Sequence, residues 1–508
     1  MQETPQNFYE KNKTNYSLEL KTLKQRLFLV GMLRLAVFLL AAFGVYLLID
    51  TSLFALITAG AGLAVFLYLV SFHTDIKKKK MHTEALIAMN ELELQVLKRN
   101  YEGLESGEEF VFEEHFYNQD IDLFGSGSIF QLINRTATKA GKEKLAGYLN
   151  ANETTAVAAK QAAIQELSQK ANWRQNFSAI AQLIRTKIEN KTITNWLSSY
   201  QSSMPSFARF LPMTFTVISA LILVGFGLDL IAGPLLTVWF FLGLGISSIY
   251  FRKVTKLYQS ASQMTDTFSQ YALLLSEIEN EQFVAEELVK AQQKIRTEGK
   301  KASAIFKTLS GELNSLDQRN NFLFAFIANG FLLWDLRYAY RIEQWMKTYG
   351  ELTENWFDTV AYFDAQSSFA NYAFNYPTHL YPSLSEDKAV IITATELGHP
   401  LLKDEQRITN DFSIKREDFF IVTGANMAGK STFLRTVALN IVLANNGLPV
   451  CASSFNYSPI KLISSMRTSD SLQNDESYFF SELKRLKYII DKIEQDTYFI
   501  ILDEILKG

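Results

Sequence analysis

The stretch Phe419–Thr432, FFIVTGANMAGKST, decides the fold of the C-terminal part of the chain. Four apolar residues lead into a loop bounded by Gly424 and Gly429, and a run with helical spacing continues from Phe433. This order predicts a strand, a tight loop and a helix. The spacing G-x-x-x-x-G-K-S is typical of a loop whose backbone N–H groups surround a polyphosphate at a helix N-terminus. A glycine-rich turn that binds no nucleotide is the less favoured alternative.

The residues of this loop have separate predicted roles. Lys430 would place a point charge on the β- and γ-phosphates of ATP and assist catalysis, and Ser431 would hold Mg²⁺. Both glycines allow the backbone to turn inward around the phosphates. The predicted nucleotide-binding residues are Gly424, Ala425, Asn426, Met427, Ala428, Gly429, Lys430, Ser431 and Thr432.

A second part of the predicted site lies at residues 498–504, YFIILDE. An apolar run that ends in two carboxylates suits a buried parallel strand beside the phosphate loop. Asp503 would hold Mg²⁺ through water, and Glu504 would act as the general base on the attacking water. A strand that ends in acidic residues is a weak signal alone, but it is a strong one together with the loop.

Length, composition and charge limit the class of protein and the kinds of site that the chain can contain. The chain has 508 residues, of which 48% are hydrophobic and 20% charged, so several globular domains with some membrane-like sequence are expected. A net charge of −3 gives no overall electrostatic argument for nucleic-acid binding. The single cysteine, Cys451, excludes an internal disulfide, and the five histidines do not cluster into a metal site.

Two pairs of apolar runs have the length of membrane-spanning helices, which is about 20 residues. The first pair covers 27–49 and 52–72, and the second covers 211–230 and 233–251. Basic residues flank both pairs, including Lys77–Lys80, which predicts that the ends of each hairpin face the cytoplasm. We therefore expect a multi-pass protein of the cell (inner) membrane, with the lipid bilayer as a partner. The alternatives are buried helices of a soluble protein and, for the lysine run, a nucleic-acid patch.

The predicted fold class is mainly α with a C-terminal α/β domain of the P-loop type. Long helices are expected over 253–350, with interruptions at Gly299, Gly311 and Gly330. The predicted parts are a cytoplasmic N-terminal segment (1–26), a first transmembrane hairpin (27–72), the first part of a helical core domain (73–208), a second hairpin (209–251), long helices of the core domain (252–382) and the P-loop domain (383–508).

Several further stretches are spaced along the chain. They are 125–145, 361–370, 397–401 with 410–411, and the loop 423–432 with its Asn426–Met427 pair. In this order they resemble the MutS family of DNA mismatch-repair ATPases, with the first stretch at the start of the lever, the second at its end and the third before the ATPase. The resemblance covers roughly residues 110–190 and 350–508, and it implies a helical core and lever domain followed by an ABC-type ATPase. It also implies ATP-dependent binding of duplex or mismatched DNA.

The resemblance adds one residue that the local pattern does not reveal. In the stretch 467–483, Ser477, Phe479 and Glu482 match the signature loop of the family. This implies that Ser477 reaches the γ-phosphate of ATP held by a partner subunit, so that a homodimer forms through the ATPase domain. Taken alone, the stretch is a polar loop that enters a helix, with Asp475 or Ser477 as the N-cap.

The sequence also departs from the family. Ala425 and Ala428 stand where the family usually has Pro and Gly. Residues 1–26 are too short for the mismatch-reading domain. The sequence ends at Gly508, inside the expected ATPase domain, so we expect a truncated domain with poor hydrolysis.

Three functions stay open at this point. The first is a membrane-anchored MutS-like ATP switch that binds DNA, and the second is a membrane-tethered ATPase or structural module that does not. The third is an ABC-type transporter. The transporter is disfavoured because its Leu-Ser-Gly-Gly-Gln signature is missing and the apolar runs carry almost no polar residues to line a path.

Overall fold

The computed structural model describes residues 4–112, 115–183, 189–297, 299–387, 389–425, 428–466 and 478–503. The chain divides into two compact units. The first comprises Met1–Ala137, Lys142–Leu183 and Ala365–Gly508, and the second comprises Thr138–Gly141 and Ile184–Asp364.

Helices dominate both units, as the composition and periodicity predict. In chain order they are α1 (Pro5–Leu47), α2 (Ser52–Leu97), α3 (Ile129–Ile133), α4 (Lys139–Asn150), α5 (Val157–Gln169), α6 (Ala171–Leu183), α7 (Asn190–Ser199), α8 (Leu211–Gly227), α9 (Gly233–Ala261), α10 (Thr265–Asn280), α11 (Glu286–Gln293), α12 (Ala302–Asp317), α13 (Phe322–Leu332), α14 (Trp334–Tyr349), α15 (Thr353–Asn375), α16 (Lys430–Asn445) and α17 (Tyr478–Ile493).

Helices α1 and α2 form a long antiparallel hairpin in the first unit. Thr4 caps α1 by accepting a hydrogen bond from the N–H of Asn7, and Pro5 occupies the first turn, where its missing N–H costs nothing. Near the tip, Gly62 lies so close to Ala41 that an added Cβ would meet the alanine methyl at 2.5 Å. The apolar runs 27–49 and 52–72 lie within this hairpin, but its helices extend well beyond both runs.

Three helical stretches of the described residues are long and apolar enough to cross a membrane, judged by length and composition. They are Pro5–Leu47, Leu53–Leu97 and Gly233–Asn280, the last of which joins α9 and α10. Helix α8 is shorter than predicted, because its 17 residues end at Gly227. Helix α13, together with the helices after it, adds a fourth candidate that is bent by 82°.

Two of the predicted helix interruptions are wrong. Gly311 lies inside α12 and Gly330 lies inside α13, since a helix tolerates glycine at a cost of about 1 kcal/mol when packing holds it. Gly299 does lie in a turn, with φ at +88°. The sharp break comes instead at Leu333, whose φ of 49° places a non-glycine residue in the left-handed region.

The strands belong to the first unit and form two small sheets. The four-stranded sheet has the order β1-β4-β2-β3, in which β1 and β4 are parallel and the other pairs antiparallel. In the second sheet, β5 and β6 are parallel, with Ser465 opposite Leu502. The strands are β1 (Ser383–Leu384), β2 (Val390–Leu397), β3 (Asn410–Lys415), β4 (Ser454–Tyr457), β5 (Lys461–Ser465) and β6 (Tyr498–Leu502).

The strand predicted at 498–502 is confirmed as β6, but the strand predicted at 419–422 is wrong. Residues 419–422 have no regular structure, and Phe419, Phe420 and Ile421 are 86%, 56% and 69% exposed. An apolar run becomes a stable strand only when a neighbouring strand pairs with it, and none of the described residues pairs with this one. The apolar pattern alone does not supply that partner.

Candidate nucleotide site

The predicted phosphate loop, residues 424–432, leads directly into α16. Gly429 is the N-cap of this helix and has φ at 85°, a conformation that glycine adopts without strain. The helix therefore begins at Lys430, and its first turn directs a positive dipole end toward the loop. The later turns of α16, from Thr436 to Asn445, are buried and hold the helix in the core of the first unit.

The side chain of Lys430 folds back across the loop. Its Nζ donates hydrogen bonds to the carbonyl oxygens of Gly424 at 2.7 Å and Ala425 at 3.0 Å. An ammonium group has three donors and no acceptor, so it can exchange these carbonyls for phosphate oxygens. The arrangement places one positive charge within the turn of the loop.

Ser431 and Asp503 meet although they are far apart in the sequence. The Ser431 hydroxyl donates a hydrogen bond of 2.6 Å to Oδ2 of Asp503. Asp503 directly follows β6, and its N–H donates to the carbonyl of Ser465 on β5 at 3.0 Å. The strand and α16 hold these two side chains so that the hydroxyl of Ser431 faces the carboxylate of Asp503. Both groups offer oxygen ligands, which Mg²⁺ prefers.

The other predicted site residues fall into two groups. Ala425, Ala428 and Thr432 are exposed along the loop, and the N–H of Ala428 donates to the carbonyl of Ala425 at 3.2 Å. The remaining residues lie outside the described part of the chain, so their predicted roles stay predictions. They are Asn426, Met427, Ser477 and Glu504.

Among the described residues, no group of three or more His, Cys, Asp and Glu side chains could hold a metal ion. Ser431 and Asp503 would supply two oxygen ligands at most. This fits Mg²⁺, which usually keeps several waters and takes further ligands from substrate phosphates.

A segment from much earlier in the chain braces the site, and we call residues 115–122 the bracing segment. Asp122 forms an ion pair of 3.0 Å with Arg435 on α16, and Asp120 accepts a hydrogen bond of 2.6 Å from Ser464 on β5. The guanidinium of Arg485 on α17 donates to the carbonyls of His115, Phe116 and Ser464. Burial lowers the pKa of Arg485. The bracing segment thus fixes the helix after the loop relative to the strands.

Sequence reasoning does not identify these bracing residues, because most of their partners are backbone carbonyls or distant single charges. The stretch 397–401, which the sequence marks as a motif, is the one local signal for this part of the site. Asn440 on α16 donates to the carbonyl of Gly398 at 3.1 Å and accepts from the N–H of Cys451 at 3.0 Å. The motif therefore contacts the same helix that begins at the loop.

Comparison with known proteins identifies a family domain and several relatives that match part of the chain. Residues 420–508 match MutS domain V. The chain is 32% identical over 126 residues to the DNA mismatch repair protein MSH6 of Arabidopsis thaliana, which covers 23% of this chain and 9% of that protein. It is 34% identical over 158 residues to the DNA mismatch repair protein MutS of Finegoldia magna, with 30% and 18% covered. It is 31% identical over 157 residues to MutS protein homolog 4 of Homo sapiens, with 30% and 16% covered.

The chain spans less than a fifth of the length of these relatives. The matches support the resemblance to the MutS family that the spaced motifs predict. The stretch that matches MutS domain V includes the predicted phosphate loop, α16, α17 and β6.

Proposed function

We propose that this chain is a membrane-anchored, MutS-like ATP switch, in which Mg²⁺-ATP bound at residues 424–432 controls a homodimer that binds duplex or mismatched DNA. The observation that carries the proposal is the 2.6 Å hydrogen bond between Ser431 and Asp503, with Lys430 folded into the adjoining loop. The similarity to mismatch-repair proteins supports a function related to DNA mismatch repair.

In this proposal each side chain has one task. Lys430 binds the β- and γ-phosphates, Ser431 ligates Mg²⁺ directly, and Asp503 holds the ion through water. Glu504 accepts the proton of the attacking water. Ser477 contributes to the site of the partner subunit, so nucleotide binding and dimer formation stabilise each other.

The exposed surface of the α1–α2 hairpin supports membrane anchoring. Large apolar side chains such as Leu40, Leu56 and Tyr68 are 69%, 73% and 69% exposed. A contiguous apolar surface of this kind is typical of contact with lipid or protein. The Phe38–Phe66 and Lys13–Glu91 contacts set an antiparallel register that brings Lys24 and Arg26 level with Lys77–Lys80. This concentration of positive charge favours a cytoplasmic location for that end of the hairpin.

A basic turn in the second unit supports the DNA-binding part of the proposal. We define the basic turn as residues 294–297 and 299–301, which join α11 to α12. Its exposed cations are Lys294, Arg296, Lys300 and Lys301, and Arg296 and Lys301 pair in a β-bridge. The turn follows α10, which ends at Asn280, whereas the predicted membrane run ends at residue 251. The basic turn would therefore lie outside the bilayer, in a position to contact the phosphates of DNA.

The test measures nucleotide and DNA binding by the full chain in lipid nanodiscs. Lys430→Ala should weaken ATP binding at least tenfold, since it removes charge-assisted hydrogen bonds of about 1.5–3 kcal/mol. Duplex and mismatched duplex are then titrated across a salt series, with and without ATP. Arg296→Glu combined with Lys300→Glu should weaken DNA binding and flatten its salt dependence, whereas the exposed control Lys191→Glu should not. Absence of DNA binding at low salt would leave an ATP switch in the membrane and reject the DNA part.

A further inference from the structure

Helix α13 exposes its most apolar side chains and buries its small and polar ones. Phe322, Leu323 and Ile327 are 81%, 67% and 50% exposed, whereas Asn329 and Gly330 are buried. No residue of α13 carries a charge. A surface helix of a soluble protein shows the opposite pattern, with its apolar stripe toward the core. The exposed face of α13 therefore matches a hydrocarbon environment rather than water.

The buried face of α13 packs closely against α9. A Cβ added to Gly243 would lie 2.2 Å from the carbonyl oxygen of Gly330, so the two backbones touch. The ring of Phe240 lies 5.1 Å from that of Phe331 on the buried face, measured between centroids, and 5.0 Å from that of Phe326, which stands at the edge of this face and is partly exposed. Close contact through small residues is characteristic of helices that associate in membranes. Helix α13 thereby extends the apolar surface of α9 sideways.

The polar side chain of α13, Asn329, has a partner within the protein. Oδ1 of Asn329 accepts a hydrogen bond of 3.0 Å from the N–H of Asp335, which closes the break after the helix. Next to it, Asp335 forms a 3.1 Å ion pair with Arg319, and both side chains are only 8% exposed. The residues before and after α13 are thus joined at its base. Such internal pairing is what a lipid environment requires.

Helix α13 is too short to cross a bilayer. Its 11 residues extend about 16 Å, whereas a hydrocarbon core is about 30 Å thick. The next helix cannot complete the crossing, because α14 carries Asp335, Arg337, Arg341 and Glu343. The bend of 82° also turns the chain away. The chain must therefore leave on the side from which it entered.

We propose that residues 322–332 insert into one leaflet of the bilayer as a re-entrant element beside α8 and α9, with lipid acyl chains covering Phe322, Leu323, Phe326 and Ile327. The inference rests on the membrane anchoring of the proposed function. Residues 322–332 lie outside both hairpins that the sequence predicts. The element adds a third contact with lipid to the second unit, at the point where α12 ends and α14 begins.

The test places single cysteines in the full chain, labels them with a bimane fluorophore and measures quenching by doxyl-labelled phospholipids in proteoliposomes. Cys451 is buried, so the wild-type chain gives the background. Leu323→Cys and Phe326→Cys report on α13. Leu221→Cys on α8, 66% exposed, is the lipid-facing reference, and Val284→Cys, 88% exposed between α10 and α11, is the water-facing one. Thermal unfolding of each variant confirms folding before labelling.

The expected result is that Leu323 and Phe326 are quenched to the same fraction as Leu221, while Val284 is unaffected. Quenching at Leu221 alone would overturn the inference and leave membrane anchoring in place, because protein rather than lipid would then cover α13. Lack of quenching at all positions, Leu221 included, would reject the anchoring of this unit together with the inference.

Discussion

The hydroxyl of Ser431 donates a 2.6 Å hydrogen bond to the carboxylate of Asp503, a residue 72 positions further along the chain. Ser431 is the second residue of α16, and Asp503 is the first residue after β6. A helix that begins at a glycine-bounded loop and a strand that ends in an acid are thereby joined. In the proposed function, Ser431 would hold Mg²⁺ directly and Asp503 would hold it through water, and the ion would neutralise charge on the phosphates of the nucleotide.

The first prediction concerns the dependence of ATP binding on Mg²⁺. Ser431→Ala should lower the affinity for ATP about tenfold in the presence of Mg²⁺, because it removes an oxygen ligand, and should leave binding in EDTA unchanged. Asp503→Asn should have the same selective effect. The control is Ser453→Ala, because the hydroxyl of Ser453 donates to the carbonyl of Thr395, away from the loop. The ATP affinity of this variant should match that of the wild type. Calorimetric titration measures this, and an equal loss with and without Mg²⁺ would reject the metal role.

The second prediction concerns a buried ion pair in the first unit. Nε of Arg135 lies 2.6 Å from Oε1 of Glu93, with side chains only 10% and 7% exposed, and Oε2 of Glu93 accepts from Asn375 at 2.7 Å. Arg135→Met should lower the free energy of unfolding by about 3 kcal/mol, since it leaves a buried carboxylate without its cation. The exposed Lys13–Glu91 pair offers a control, and Lys13→Met should cost less than about 1 kcal/mol.

A double variant separates the ion pair from simple packing. Arg135→Met combined with Glu93→Met should destabilise the protein by less than the sum of the two single changes, because no charge is then left unpaired. Thermal unfolding in detergent gives the three values. Strict additivity would mean that the two side chains contribute independently.

The third prediction concerns pH. Burial, as the largest cause, lowers the pKa of His379 to about 3 and that of His399 to about 4, from a usual value of 6.5. Between the folded-state pKa of each ring and its usual value of 6.5, the unfolded chain binds more protons than the folded one. The stability that the two neutral rings contribute is therefore fully present above about pH 6.5 and is lost as the pH falls below it. Each ring should contribute a loss of about 1.4 kcal/mol per pH unit.

The measurement for this prediction compares unfolding at pH 7 and pH 5. Nδ1 of His399 accepts a hydrogen bond from the N–H of Leu401 at 3.3 Å, which requires the neutral ring. Nδ1 of His379 lies 3.0 Å from the hydroxyl oxygen of Tyr372. The double variant His379→Gln, His399→Gln is expected to be less stable at pH 7 but to lose less stability on acidification. An unchanged pH slope would show that other groups cause the acid sensitivity.

The sequence predicts those parts of the site that depend on local pattern. The glycine spacing around Lys430 and the acid after an apolar run indicate where helix and strand ends lie, and the structure brings Ser431 and Asp503 together. The sequence does not predict the bracing segment, because Arg485 bonds backbone carbonyls that leave no signature in residue type. For the strand predicted at 419–422, the pattern is present but no described strand pairs with it.

The candidate membrane-spanning helices also differ in how far the sequence predicts them. The hairpin of α1 and α2 is predictable because its apolar runs reach the length of a span. Helix α13 escapes the same rule, since its 11 residues are too few to register as a span. Its character becomes visible only when the fold shows which of its side chains are exposed. Length-based reasoning therefore finds candidate spans and misses short apolar helices such as α13.

The fourth prediction tests the contact between α9 and α13. Gly243→Ala should lower the free energy of unfolding by about 1–3 kcal/mol, because its Cβ would lie 2.2 Å from a backbone oxygen of Gly330 and would force the helices apart. Gly245→Ala is the matched control on the same helix: among the described residues, no atom outside the local helix backbone lies within 4 Å of its added Cβ. That variant should be unchanged or slightly more stable, because alanine favours helix by about 1 kcal/mol over glycine. Thermal unfolding in nanodiscs compares the two, and equal stabilities would show that α13 does not pack against Gly243.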